Sequence, residues 1–140
     1  MKTLLRPPTV ETAAFWQACR EGRLLLQGCS RCGHVVYYPR LHCPRCGARE
    51  LTAREAAGDG ILYSFTQVHY SPFGDHWQDE VPYWVVQVDL AERVRMLSRL
   101  LPPASGRPRI GDAVRLTFVP VDDGMLLPAF QLAAESGSET

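Results

Sequence analysis

Apolar positions recur in two different registers along this chain. In TVETAAFWQACRE (9–21), Phe15 and Cys19 lie four apart, on one face of a predicted helix, with Trp16 beside them. Thr9 is placed to cap that helix, Glu11 falls in its first turn, and Gly22 follows as its stop. From residue 23 the helical period disappears and short apolar runs replace it. RLLLQGC (23–29) and HVVYYP (34–39) each read as a strand. LTAREAAGDGILYSFTQVHY (51–70) reads as two strands around the turn GDG (58–60). YWVVQVDL (83–90) and RVRMLSRL (93–100) predict a hairpin, and VRLTFVPV (114–121) with LPAFQLAA (127–134) predicts another around DDGM (122–125). Glycine next to aspartate suits such turns because it accepts positive φ. Five or six strands over about 80 residues, with no second helical pattern, predict a mainly β protein with a five-stranded OB-type barrel.

Two segments break the pattern. SPFGDHWQDEVP (71–82) mixes aromatics with charges, and LPPASGRPRIGD (101–112) is rich in proline and glycine. Loops of this length in a compact domain often carry function. The expected organisation is an arm and helix over 1–22, a cysteine-bearing ribbon over 23–54, the barrel over 55–134 and a disordered tail over 135–140.

Composition narrows the class without naming a chemistry. The chain is 46% hydrophobic and 21% charged, as soluble globular proteins are. No run approaches the roughly 18 apolar residues of a membrane span, so no membrane association is expected. The first residues, with Pro7, Pro8 and Glu11, lack the apolar core of a signal peptide. The expected location is therefore cytoplasmic, where paired cysteines hold metal rather than form disulfides. The formal net charge of zero hides two opposed halves. Residues 1–54 carry nine basic and three acidic groups, a balance of +6; residues 55–140 carry six basic and twelve acidic, a balance of −6. These are either two solvated faces or a basic half suited to an anion or an acidic partner.

The sharpest chemical signal is CSRCGHVVYYPRLHCPRCG (29–47). Cys29 and Cys32 form one C-x-x-C knuckle, and Cys43 and Cys46 a second. The two-residue gap lets both thiolates of a knuckle face one ion, and Gly33 and Gly47 permit the tight turns. Four thiolates suit tetrahedral zinc and leave no open position for water or substrate, so the metal is expected to be structural. A ribbon of about 30 residues buries too little surface to fold alone, and the metal supplies the missing stability. The same knuckles hold iron in rubredoxins, which keeps electron transfer as an alternative. His42 adjoins a ligand but is not needed in a filled shell. Cys19, ten residues from the nearest pair, reads as a small buried hydrophobe. There is no G-x-S-x-G, no P-loop and no G-x-G-x-x-G, and no catalytic residue is assigned. His69 precedes the first long loop and His76 lies within it, and both read as solvated or satisfied side chains.

The order of FWQACREGRLLLQGCSRCG, YYPRLHCPRCG, GDGILYSFTQVHY, PYWVVQVDL, IGDAVRLTF and LPAFQLA resembles an acyl-CoA-associated family that joins a rubredoxin-like zinc ribbon to an OB-fold. The resemblance covers about residues 10–133, and its most specific part is Gly58, Gly60, Leu62, Ser64, Phe65 and Thr66 following the FW helix and the ribbon. It implies a non-catalytic accessory subunit that joins a thiolase, acyltransferase or retro-aldolase in a hetero-oligomer such as a heterotetramer. It also implies structural zinc on Cys29, Cys32, Cys43 and Cys46 and affinity for acyl-CoA. Arg31, Arg40, Arg45, Arg49 and Arg54 suit phosphates or an acidic partner. Tyr70, Phe73, His76 and Trp77 offer interface anchors. Phe15, Trp16, Arg40, Arg45, Tyr70, Phe73, His76 and Trp77 are thus the candidate contacts. The competing function is a single-stranded nucleic-acid OB module, but a barrel half with balance −6 opposes the usual basic footprint, so no nucleic-acid partner is expected.

Overall fold

A computed structural model describes residues 7–71, 79–103, 106–121 and 124–133. One helix, α1 (Ala13–Arg20), precedes eight strands: β1 (Leu25–Cys29), β2 (Val35–Val36), β3 (Leu51–Glu55), β4 (Asp59–Val68), β5 (Tyr83–Leu90), β6 (Arg95–Leu100), β7 (Ala113–Pro120) and β8 (Leu126–Leu132). None of the described helices is long and apolar enough to cross a membrane.

The helix starts three residues later than a cap at Thr9 predicts, because residues 9–12 close a turn of their own. The Thr9 carbonyl accepts from the N–H groups of Thr12 (3.2 Å) and Ala13 (2.9 Å), and the Thr9 N–H donates to Thr12 Oγ1 at 2.8 Å. The cap position passes to Thr12, whose hydroxyl is already engaged. Gly22 ends the helix as expected. At φ 75° it lets its own N–H reach the Cys19 carbonyl and the Arg23 N–H reach the Ala18 carbonyl, which satisfies two free carbonyls of the last turn.

Strands β2-β1-β3 form one antiparallel sheet, and β4-β5-β6-β8-β7 close a barrel. The expected strand over 34–39 shortens to Val35–Val36, since the rings of Tyr37 and Tyr38 turn onto Phe15, with centroids 5.9 and 5.0 Å away. The two expected hairpins are present: β5 pairs with β6 from Trp84↔Leu100 to Asp89↔Arg95, and β7 pairs with β8 over seven positions. The barrel closes through a parallel contact of β6 with β8 at Leu100↔Phe130 and through β4 with β7 at Asp59↔Arg115 to Ile61↔Ala113.

One strand reading fails. Strands β3 and β4 are not a hairpin about GDG; β3 pairs with β1, and the Ala56 N–H extends that pairing to the Leu24 carbonyl at 2.9 Å. Residues 56–60 form a corner between two sheets. Gly58 turns the chain at φ 100°, and its carbonyl accepts from the Leu116 N–H at 2.8 Å. Gly60 is already inside β4, where a Cβ would stand 2.4 Å from Val88 Cγ1. The glycines are required by the approach of β7 and β5, not by a two-strand turn.

The period-two pattern of β5 holds: Trp84, Val86, Val88 and Leu90 point inward, against Leu62, Met96, Leu100, Val114 and Phe130. Phe15, Cys19, Leu24 and Leu26 belong to the same apolar cluster. Helix α1 and the start of β1 are therefore continuous with the barrel core, while the knuckles have only a separate small cluster of Cys29, Cys43 and Ala48 with Leu51 against it.

Candidate metal centre

Each knuckle is built by the same pair of backbone hydrogen bonds. In the first, the Cys29 N–H donates to the His34 carbonyl at 2.9 Å, and the Gly33 N–H donates to the Cys29 carbonyl at 2.8 Å. In the second, the Cys43 N–H reaches the Ala48 carbonyl and the Gly47 N–H the Cys43 carbonyl, both at 2.8 Å. Gly33 and Gly47 take φ 79° and 81°, which a side chain would resist. Backbone N–H groups then turn toward sulfur: Cys32 N–H to Cys29 Sγ and Arg45 N–H to Cys43 Sγ, each at 3.4 Å.

The four sulfurs converge from these two turns. All lie within 4.8 Å of one another, with Cys29–Cys46 and Cys32–Cys43 at 3.6 Å. A tetrahedron with metal–sulfur bonds of about 2.3 Å has edges of about 3.8 Å, so the donor set fits zinc. The N–H of Cys32 leads the groups that lower the Cys29 thiol below its ordinary pKa. Burial pushes Cys43 up, but the N–H groups of Cys46 and Arg45 outweigh it and bring it down to about 7. Both effects favour the thiolate that a metal needs, whereas at Cys32 the lowering by the His34 N–H is outweighed by burial and by hydrogen bonds with the other three thiols, which push it up to about 11. Cys29 and Cys43 are buried, and Cys32 and Cys46 are exposed. These four are the only cluster of three or more potential ligands among the described residues. His42 is not part of it; its Nε2 accepts from Arg49 Nε at 3.0 Å. Cys19 is fully buried, and burial raises its pKa to about 11, as befits an inert core thiol.

The other candidate residues separate into surface and core. Phe15 is 2% exposed and packs against Trp16, Tyr37 and Tyr38. It supports the surface from below and is not itself available to a partner. Trp16 is half-buried, and its indole N–H donates to the Tyr38 hydroxyl at 2.8 Å. Trp16 and Tyr38 line an open groove of about 910 Å³ between the segment before α1 and residues 38–44. Arg40 lies in the same groove. Its backbone is held from both sides by Gln27, whose Oε1 accepts from Arg40 N–H (2.8 Å) and whose Nε2 donates to the Arg40 carbonyl (3.0 Å). Gln27 carries no motif; only its pairing with Val36 across β1 and β2 reveals that role. Arg45 projects from the second knuckle and is exposed. Tyr70 is 72% exposed at the end of β4. Phe73, His76 and Trp77 lie outside the described residues.

Comparison with known proteins agrees with this architecture. Residues 16–52 match the family described as ChsH2, rubredoxin-like zinc ribbon domain, and residues 53–119 match ChsH2, C-terminal OB-fold domain. A solved structure of an "Ltp2-ChsH2(DUF35) aldolase" superposes with a TM-score of 0.78 at 31% identity, over 91% of this chain and 99% of that chain. A DUF35-family protein of unknown function from Sulfolobus solfataricus shares the fold at a TM-score of 0.62 and 13% identity, over 89% of this chain and 87% of its own. Among curated proteins, a probable enoyl-CoA hydratase alpha subunit from Thermomonospora curvata is 35% identical over 91% of this chain, which spans only 40% of that protein's length. A DUF35 domain-containing scaffold protein from Methanothermobacter thermautotrophicus is 29% identical, over 86% of this chain and 94% of its own. With its ribbon, barrel and cysteine spacing all accounted for, the chain belongs to the ChsH2-type DUF35 family, a rubredoxin-like zinc ribbon followed by an OB-fold.

Proposed function

We propose that this chain is a non-catalytic accessory subunit of an acyl-CoA-processing enzyme of the thiolase-like class, in which Cys29, Cys32, Cys43 and Cys46 hold a structural zinc ion. The observation that carries the reading is the closed set of four thiols. A metal held by four protein ligands has no coordination position left for a substrate, so its contribution is to the shape of the ribbon. Zinc there supplies a crosslink that the small cluster of Cys29, Cys43 and Ala48 cannot replace. One relative pairs a DUF35 chain with Ltp2 in an aldolase, and others are described as scaffold proteins; both support a partner-dependent role.

Trp16 and Arg40 in the groove beside α1, together with Tyr70, Phe73, His76 and Trp77, are the proposed contacts with the partner or with acyl-CoA. Arg45 belongs with them as a cation on the ribbon. The test is co-expression with a thiolase-like protein. A stable hetero-oligomer in size exclusion, weakened by Trp16→Ala or Arg40→Ala with the zinc content unchanged, is expected. Thioester turnover by the isolated chain at an enzyme-like rate would refute the reading.

A further inference from the structure

The four knuckle cysteines differ in exposure, and the difference runs across the ribbon. Cys29 and Cys43, the first residue of each knuckle, are 3% and 2% exposed, whereas Cys32 and Cys46, the last of each, are exposed. Two sulfur contacts of 3.6 Å each join one of either kind: Cys46 with Cys29, and Cys32 with Cys43. Each solvent-facing thiol therefore has a sheltered one beside it, in the opposite knuckle.

That arrangement has a chemical consequence. A sulfur that ligates a metal is already a thiolate, the form that oxidants attack. Oxidation selects thiolates that solvent reaches, and it stays reversible where a second thiol is close enough to condense with the first product. Bonding within either 3.6 Å pair needs the two sulfurs to close by about 1.5 Å, a side-chain movement. A bond across the knuckles also encloses the hairpin, and so restricts the unfolded chain more than a bond inside one knuckle would. The fifth cysteine, Cys19, is 0% exposed in the core cluster of the barrel and takes no part.

We infer that Cys46 and Cys32 are sites of oxidation by hydrogen peroxide, and that Cys29 and Cys43 resolve them into two cross-knuckle disulfides with loss of the metal. In each pair the exposed thiolate attacks one peroxide oxygen; the O–O bond breaks, a sulfenic acid forms and hydroxide leaves. The neighbouring thiolate then attacks that sulfur; the S–O bond breaks, the S–S bond forms and a second hydroxide leaves. Each pair gives two electrons to one peroxide, so four thiolates consume two peroxides and no thiolate ligand remains. The inference rests on the zinc reading above and adds regulation to it. Cys43 and Pro44 line the groove that holds Trp16 and Arg40, so the reaction alters one wall of the proposed contact surface.

The full chain, purified with its zinc under reducing conditions and then desalted, is treated with hydrogen peroxide while a chromogenic chelator follows zinc release. One zinc is expected for two peroxides, with four of the five thiols lost and Cys19 retained. Connectivity is read directly, because cleavage by trypsin after Arg31, Arg40, Arg45 and Arg49 puts the four knuckle cysteines on separate peptides. Linked peptides are expected to join Cys29 to Cys46 and Cys32 to Cys43, and dithiothreitol with added zinc is expected to restore both thiols and metal. Bonds within a knuckle, sulfinic or sulfonic acids in place of disulfides, or oxidation of Cys19 ahead of the knuckles overturn the inference. Zinc that is bound but retained under excess peroxide overturns it alone, whereas protein that holds no zinc before oxidation overturns the zinc reading with it.

Discussion

Gly60→Ala tests how tightly the barrel closes at the point where the ribbon joins it. A Cβ at residue 60 stands 2.4 Å from Val88 Cγ1 and 3.1 Å from the Asp89 carbonyl oxygen. Carbon atoms pack at about 3.5–4.0 Å, so the first contact overlaps by more than an ångström. Overpacking of this kind costs about 1–3 kcal/mol, and reduced freedom of the unfolded chain returns about 0.5 kcal/mol. We expect Gly60→Ala to destabilise by about 2 kcal/mol. Val88 is 0% exposed, and Val88→Ala alone removes about 1.6 kcal/mol of apolar transfer, with a cavity cost on top. The double variant removes the clashing methyl of Val88 and lets the methyl added at position 60 fill part of the space. The carbonyl contact at 3.1 Å remains, so relief is incomplete. The expected coupling is about 1–2 kcal/mol in favour of the double variant. Urea unfolding of the four proteins, with m-values compared, measures it. Strict additivity, or a neutral Gly60→Ala, would show that β4 and β5 do not approach as closely as described.

Other expectations follow from the same contacts. Cys43→Ser should abolish stoichiometric zinc, measured by metal analysis. Hydrogen exchange should then show lost protection at the knuckle amides of Gly33 and Gly47, but not at Val86 and Val88; full zinc retention contradicts the four-thiolate site. Phe15→Ala should cost about 3–5 kcal/mol as a buried aromatic truncation, whereas Trp16→Phe, which loses the hydrogen bond to Tyr38, should cost no more than about 1.5 kcal/mol. Equal costs in thermal unfolding refute the division between core and surface. Cys19, with its pKa raised to about 11 by burial, is protonated in all but about one molecule in a thousand at pH 8. Iodoacetamide labelling followed by mass spectrometry should modify it only after denaturation.

Sequence alone determined the features that depend on near neighbours. The two C-x-x-C-G knuckles are complete within five residues each, so their spacing already specified two turns that present thiolates. Gly22 was legible as a helix stop because the hydrogen bonds it permits reach back only to Ala18 and Cys19. The alternation of Trp84, Val86, Val88 and Leu90 marked a half-buried strand, and the two hairpins followed from adjacent strands joined by turn chemistry. Tertiary structure alone decided what depends on distant segments. Nothing local distinguishes a GDG corner between sheets from a GDG hairpin; the difference lies in Val88 and Leu116 arriving from elsewhere in the chain. Thr9 yielded the cap to Thr12 because the Thr12 hydroxyl accepts the Thr9 N–H and the Thr9 carbonyl closes a separate turn over 9–12. Periodicity encodes which face of an element is apolar, whereas the partner of that face is fixed by burying all such faces at once, and that global condition leaves no short-range trace.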